Sequence, residues 1–527
     1  MNKKITEMPQ WRTSHPPWLV AFSVMLATFM SVLNTSVANV SLSHIAGSLS
    51  ASTDEATWVL TSYMAALAIV LAATGWLCTY FGRKNYLLFS VLLFTVASAA
   101  CGMAQTLPQL ILARIAQGIG GGGLQPLAQA IMMENFPHEK RGAAMAAYGT
   151  GIVVAPIIGP IFGGWITDNY SWRWVFYINV PIGIISFFLQ KVFVEDPPYL
   201  VRDRSKSIDY AGLVLMIMAI ATLQVVLDKG QELDWFASHW ICLGAAVVLA
   251  ALPLFVWREV NLREPFINLR LLKHVNLAVG TLLGTLMNCV LYATTSMLPM
   301  FMQRLLKYPA MQSGMAMMPR GVGSLCGMII AGRLVNRMDK RLLIAIGFMS
   351  VGISCTVFSH LDMDIAQRNI FLPQLLNGLG SGLIFVPMTV MAMSALRQHE
   401  LNQGTGIFNF WRNVGSSIGI SVIFAYQTRM AQVHQVSLVS NITSYTPAFR
   451  QWAGHLESSG ASPALTYALA YVKVQQQASM LAFVDCFRNM ALLSFFCVGL
   501  AFLLRVKKKQ VEDVVVAPLD GESFEDI

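Results

Sequence analysis

Arg114, Gln117, Gln125 and Gln129 interrupt one otherwise apolar stretch, LPQLILARIAQGIGGGGLQPLAQAIMM, which runs from Leu107 to Met133. That stretch exceeds the roughly 20 residues of helix that cross a hydrocarbon core. An arginine at such a depth is expensive, and it turns toward a partner or a cavity rather than toward lipid. The glutamines follow one another at spacings of eight and four, which places them close to one helix face, with Arg114 within about 60° of it. Gly118 and Gly120–Gly123 would weaken a soluble helix by about 1 kcal/mol each. In a membrane bundle the same small residues let neighbouring helices approach closely. The pattern is that of a helix lining a polar cavity. A later apolar run repeats it with Asn409, Arg412 and Asn413, and Arg320 is a further cation at membrane depth. Met287, Met297, Met317, Met388 and Phe408 around them offer adaptable apolar surface.

Acids at these depths are scarce. Glu134 closes the polar stretch and Asp485 opens the last apolar run. Partial burial moves a carboxyl toward titration near neutrality, so these two are the candidates for carrying a proton. No phosphate loop, HExxH motif or Ser/His/Asp arrangement occurs within the apolar runs, and an enzyme is not expected. The eight cysteines lie in or at the ends of apolar runs without any CxxC spacing. Neither a disulfide framework nor a metal or cofactor site is expected from them.

The elements that position these groups are membrane spans. Hydrophobic residues make up 55% of the 527 residues and charged ones only 12%, against about 25% charged in soluble domains. The first apolar run is itself span-length and lacks a small-residue cleavage site, so it is not a signal peptide. Fourteen spans are predicted, beginning near Trp18, Thr57, Tyr86, Leu107, Gly142, Trp174, Tyr210, His239, Val275, Met311, Leu342, Ile370, Gly404 and Phe483. An even count puts both termini on one side. About 24 of the 36 basic residues fall on that side, and by the positive-inside rule it is the cytoplasm. The net charge of +9 therefore reflects topology, and no nucleic-acid partner is expected.

Three short matches recur at nearly one offset. GWLCTYFGRKNYLL from Gly75 is echoed by GRLVNRMDKRLL from Gly332, RIAQGIGGG from Arg114 by QLLNGLGSG from Gln374, and GTG from Gly149 by GTG from Gly404. The expected architecture is an all-α membrane protein of two parallel six-span halves, 18–194 and 275–505. Two inserted spans at 209–257 lie between cytoplasmic linkers 195–208 and 258–274. Residues 1–17 form a cytoplasmic N-terminus, 430–482 a polar outer loop with an amphipathic helix, and 506–527 a disordered cytoplasmic tail. Halves of this kind bind their ligand near the midplane between them.

These stretches resemble the major facilitator superfamily, specifically its fourteen-span drug:proton antiporters of the EmrB/QacA type. The resemblance covers nearly the whole chain. It rests on TFMSVLNTSVANVSLSHIAGSLSASTDEATWVLTSYM in the first span and the loop after it, GWLCTYFGRK, the Arg114–Gln117–Gly118 motif, GTGIVVAPIIGPIFGGWITD, LDKGQELDWF and QQQASMLAFVDCF. Gly75, Gly82, Arg83 and Lys84 read as a tight basic turn whose arginine pairs with carboxylates or helix C-termini and holds one conformer. Gly151, Gly159, Pro160, Gly163 and Gly164 thin one face of the fifth span for hinging and close packing where the halves meet.

The resemblance implies export of amphipathic or hydrophobic organic compounds by alternating access and proton antiport, from a bacterial inner membrane. It also implies an EmrA-type periplasmic adaptor and a TolC-type outer-membrane channel as partners. Where this family usually carries acids in the first span, the sequence reads Ser31 and Asn34, and a frequent glutamate of span four reads Ala128. Neither asparagine nor serine carries a proton between pH 5 and 8. Asn34 therefore joins the polar cavity residues. A facilitator without proton coupling, or a sensor or scaffold on the same fold, is the alternative expectation.

Overall fold

The computed structural model describes residues 13–505, apart from 138, 197–208, 231–232, 263–264, 266, 364, 366, 441, 444 and 460–461. Residues 1–12, most of the first linker and the tail 506–527 lie outside the described residues. Regular structure among those described is helical throughout. The longer helices are α1 (Pro17–Val40), α2 (Trp58–Phe81), α3 (Arg83–Met103), α4 (Leu107–Gly122), α5 (Leu124–Asn135), α6 (Arg141–Asn169) and α7 (Asn179–Phe193). Next come α8 (Tyr210–Lys229), α9 (His239–Asn261), α10 (Val275–Arg304), α11 (Ala310–Leu334), α12 (Lys340–Phe358) and α13 (Gln367–Met393). The series ends with α14 (Leu401–Ser440), α15 (Pro447–Ser458) and α16 (Pro463–Ala501).

Apolar runs of this length become helices because hydrocarbon leaves backbone N–H and C=O groups no other partners. Among the described residues, eleven helices are long and apolar enough to cross a membrane. The other three expected spans are helical as well: α4 continued by α5 beyond Gly123, α6, and α14.

Packing repeats along the chain. In the first set, α1 lies against α6 and α7, α2 and α3 against α4, and α3 against α7. In the second, α10 lies against α14 and α16, α11 and α12 against α13, and α12 against α16. The sets meet chiefly through two equivalent contacts, α2 with α14 and α6 with α11, joined by α5 with α14 and α13 with α6. The inserted helices α8 and α9 pack on each other, and α8 docks on α2 and α14. Gln224 on α8 donates to Ser417 Oγ on α14 at 2.7 Å.

Close approach between the sets is concentrated at the end that bears the basic turns. A Cβ on Gly75 would come within 2.6 Å of Gln403 Cγ, and one on Gly332 within 2.8 Å of Ala146 Cβ. One on Gly149 would meet Met328 Sδ at 2.7 Å. Further along, α6 turns its glycines onto its own set: a Cβ on Gly159 would lie 2.5 Å from Ser36 Oγ, and one on Gly163 2.6 Å from Val37 Cγ1.

The expected outer loop at 430–482 is mostly helix. α14 runs 40 residues and α16 runs 39, each about 60 Å at 1.5 Å per residue and twice a hydrocarbon core. Both are longer than such a core requires, and α15 packs on α16. Polar glutamines end the hydropathy signal there without ending the helix, because alanine, leucine and glutamine all favour helix. The Ser462 hydroxyl caps its start by accepting from Leu465 N at 3.3 Å.

Candidate functional site

The polar stripe of the fourth span divides between two clusters. Arg114 and Gln117 are fully buried. Arg114 Nη1 donates to Gln117 Oε1 at 2.6 Å and its Nε to Val59 O at 3.0 Å. Its guanidinium lies 4.2 Å from the centre of the Tyr63 ring. Gln117 Nε2 donates onward to Asn34 Oδ1 at 3.1 Å and to Ser98 Oγ. Asn179 Nδ2 reaches the same Asn34 oxygen at 3.1 Å, and Ser31 Oγ lies 3.3 Å from the Tyr63 hydroxyl. This network is neutral apart from Arg114 and lies inside the first set, tying α1, α2, α3, α4 and α7.

Gln129 faces the other way, because twelve residues past Gln117 carry it about 120° further around the helix. There Asn409 Nδ2 of α14 donates to Gln129 Oε1 at 2.6 Å. Arg412 stands one turn along α14, over the rings of Phe385 at 5.1 Å and Phe408 at 5.5 Å. Its amide contacts are long, 3.4 Å to Asn409 Oδ1 and 3.5 Å to Asn288 Oδ1. Tyr148 of α6 stacks on Phe385 at 6.4 Å and donates to the backbone oxygen of Gln125 at 3.2 Å. The Gln125 and Asn413 side chains are half-buried. Arg320 is buried in the second set, where Nη2 donates to Leu291 O and Thr294 Oγ1, both at 3.1 Å.

The basic turn is built around Gly82, whose φ of 84° lies in the left-handed region that glycine tolerates. It turns α2 into α3 and aims Arg83 inward, where the guanidinium pairs with Glu134 at the end of α5. Both side chains are fully buried. The backbone N–H of Lys84 donates to Asp196 Oδ1 at 2.7 Å. Gly151 is loosely packed, with only Met25 Cε near at 3.8 Å, and Gly164 is half-buried. The Pro160 side chain lies outside the described residues. Asp485 accepts from His434 Nε2 at 2.7 Å and pairs with Arg488 Nη2 at 3.0 Å.

The profile of the Major Facilitator Superfamily matches residues 24–420. The chain belongs to the Major Facilitator Superfamily. Within it, the chain is 35% identical over 465 residues to the multidrug export protein EmrB of Haemophilus influenzae, a match covering 87% of this chain and 90% of that protein. It is 34% identical over 490 residues to the fatty acid resistance protein FarB of Neisseria gonorrhoeae, covering 92% and 96%. A crystal structure of XylE with two introduced tryptophans superposes with a TM-score of 0.60 at 13% identity, over 94% of this chain and all of that one, and shares the fold. This superfamily chain is thus a multi-pass membrane transporter of the EmrB type.

Sequence reasoning missed Tyr63, whose ring lies against Arg114, and Tyr148, which stacks on Phe385 beside Arg412, since tyrosine in an apolar run reads as packing. It also missed a cavity of about 290 Å³ between the polar parts of α14 and α16, lined by Gln427, Gln432, Gln435 and Gln475 among others. The QQQ run at 475–477 was the available signal.

Proposed function

We propose that the chain is a fourteen-span efflux transporter of a bacterial inner membrane, with both termini cytoplasmic. It exports amphipathic or hydrophobic organic compounds by alternating access. The moving bodies are the halves 18–194 and 275–505, with 209–257 as an inserted pair riding on the α2–α14 seam. The single observation that carries this reading is the cross-half bond between Gln129 and Asn409, set among close contacts that all favour the basic, cytoplasmic end. Such a bundle is closed inward and splays outward by breaking one end of its interface and making the other. The relatives named for multidrug export and for fatty acid resistance support amphipathic substrates.

Substrate meets the polar seam of Gln125, Gln129, Asn409, Arg412 and Asn413. Asn34, Arg114, Gln117 and Arg320 hold the two halves rigid behind it. The Arg83–Glu134 pair at the Gly82 turn latches the inward-closed form. Proton antiport falls to Asp485, which contacts His434 and Arg488, since Glu134 is engaged by Arg83. The helical extensions of α14 and α16 offer a surface for an EmrA-type adaptor that leads to a TolC-type channel.

A second reading, gradient-independent facilitation, is favoured by one observation: the Asn34 oxygen is already satisfied by two amides and has no proton to give. Efflux of a hydrophobic dye from proteoliposomes, with and without an imposed proton gradient, separates the two. Gradient-driven efflux is expected. Equal rates in both conditions would establish the facilitator, and no efflux would reject transport altogether.

A further inference from the structure

Arg114 carries a full positive charge at 0% exposure, and the groups it touches are all neutral. Gln117 Oε1 and Val59 O take its Nη1 and Nε, while the rings of Tyr63 and Phe176 lie 4.2 and 5.6 Å from the guanidinium. Among the described residues no carboxylate comes within ion-pair distance of it. Its Nη2 is buried without a hydrogen-bond partner. Two further donors of the same region share that condition. Asn34 Nδ2 lies across Gln117 from the arginine, and Trp172 Nε1 belongs to the indole that meets Phe176 edge-on at 6.1 Å. Asn34 and Trp172 are themselves 1% and 4% exposed.

A buried donor without an acceptor costs the whole of its desolvation, and a charged one costs more. An uncompensated buried cation is the costliest of these. Water would satisfy the hydrogen bonds and leave the charge. Asn179 Oδ1, also unpartnered, is neutral and offsets none of it. One positive charge is matched by one negative charge, so the matching ion is a monoanion. A sulfate or phosphate dianion would overshoot that charge and surrender more hydration. The packing selects for small size, since a Cβ on Gly118 would lie 2.5 Å from Tyr63 O and one on Gly121 3.1 Å from the Tyr63 hydroxyl. The path in is short. Arg114 is seven residues into α4 and bonds to the second residue of α2, about 10 Å from the end of this half opposite the basic turn. Arg173 stands at that end, bonded to Ala104 O and 4.6 Å over the Trp172 ring, and makes the approach positive.

We infer that the first half holds a chloride ion on Arg114 Nη2, with the Asn34 amide and the Trp172 indole as its further donors. The ion is a resident counter-charge of the fold and not the transported solute. It brings from solution the negative charge that no described side chain supplies there. The site lies within one half, away from the seam, and the inference stands whether or not the chain exports amphiphiles.

The test is the thermal midpoint of the full chain in nanodiscs, read by intrinsic fluorescence while sodium chloride replaces sodium gluconate at constant ionic strength. The wild-type midpoint rises saturably, by about 2 °C once chloride far exceeds its dissociation constant. Bromide reproduces the rise. Arg114→Gln, with no charge to compensate, gains nothing from chloride. Asn34→Asp brings its own carboxylate, so its midpoint in gluconate already exceeds that of wild type and chloride adds little. If Arg114→Gln does not fold, wild type and Asn34→Asp decide between them. Equal wild-type midpoints in the two salts, a rise that never saturates, or the full chloride gain in folded Arg114→Gln or in Asn34→Asp overturns the inference.

Discussion

Asn409 on α14 donates its amide to Gln129 on α5 at 2.6 Å, joining residues 280 positions apart. The bond crosses from one half to the other near the closed end. A net hydrogen bond is worth about 1 kcal/mol, so Gln129→Met shifts the population about fivefold toward the form open at the basic end. A cysteine introduced at Ala146, which packs under Gly332 of the other half, reports this as faster maleimide labelling. Unchanged labelling would show that the bond does not bias the gate.

Arg83 and Glu134 form an ion pair with both side chains fully buried. Removing one member strands the other charge and destabilises by about 3–5 kcal/mol. Glu134→Leu or Arg83→Met alone should therefore lower the thermal midpoint in detergent strongly. The double variant regains most of that loss, because no buried charge is left unpaired. Additive losses would argue that each residue acts separately.

Glycines of α6 divide in their consequences. Gly159→Val and Gly163→Val drive side chains into Ser36 and Val37 of the same half, so they reduce folded yield without changing the gating of what folds. Gly149→Val strikes Met328 and Phe385 across the seam and opens the basic end in protein that remains folded. Fluorescence size-exclusion yield and thiol labelling, measured on the same preparations, separate the two effects.

Arg258 donates to both oxygens of Asp209, at 2.8 and 2.7 Å. Together with the Gly212 N–H it holds the Asp209 carboxyl below the ordinary carboxylate range. A depressed folded value means the contribution is complete above the unfolded value, near 3.9, and is lost as pH falls through the folded one. Thermal midpoints of wild type therefore drop below about pH 4, and Asp209→Asn, already lacking the contribution, drops less. Parallel pH profiles would remove the pair from the stability of the α8–α9 insertion.

Most of the scaffold was legible because membrane spans announce themselves through length and hydropathy. Helices begin at Pro17, Trp58, Leu107, Arg141, Tyr210, His239 and Val275, where an apolar run meets a proline, a charge or a polar turn. α16 begins twenty residues before the predicted Phe483, since its outer part is polar enough for water and still helical. The candidate site was legible as residue types more than as a surface. Arg114, Gln117 and Gln129 stood out, but a period of 3.6 accumulates rotation, and the stripe splits between a sealed network and the seam. Packing partners such as Tyr63, Tyr148 and Asn288 carry no signature in an apolar run, because tertiary contact alone selects them.

Alternating access is tested most directly by locking the closed end. Gly142 and Val335 face each other across the α6–α11 contact, with a Cβ on Gly142 lying 3.5 Å from Val335 Cβ, inside the span of a disulfide. Gly142→Cys with Val335→Cys, in a background with the eight native cysteines replaced, should form that bond on oxidation. Dye efflux from proteoliposomes is then expected to stop when the bond forms and to return on reduction. Undiminished efflux from fully cross-linked protein would contradict a carrier that opens its halves in turn.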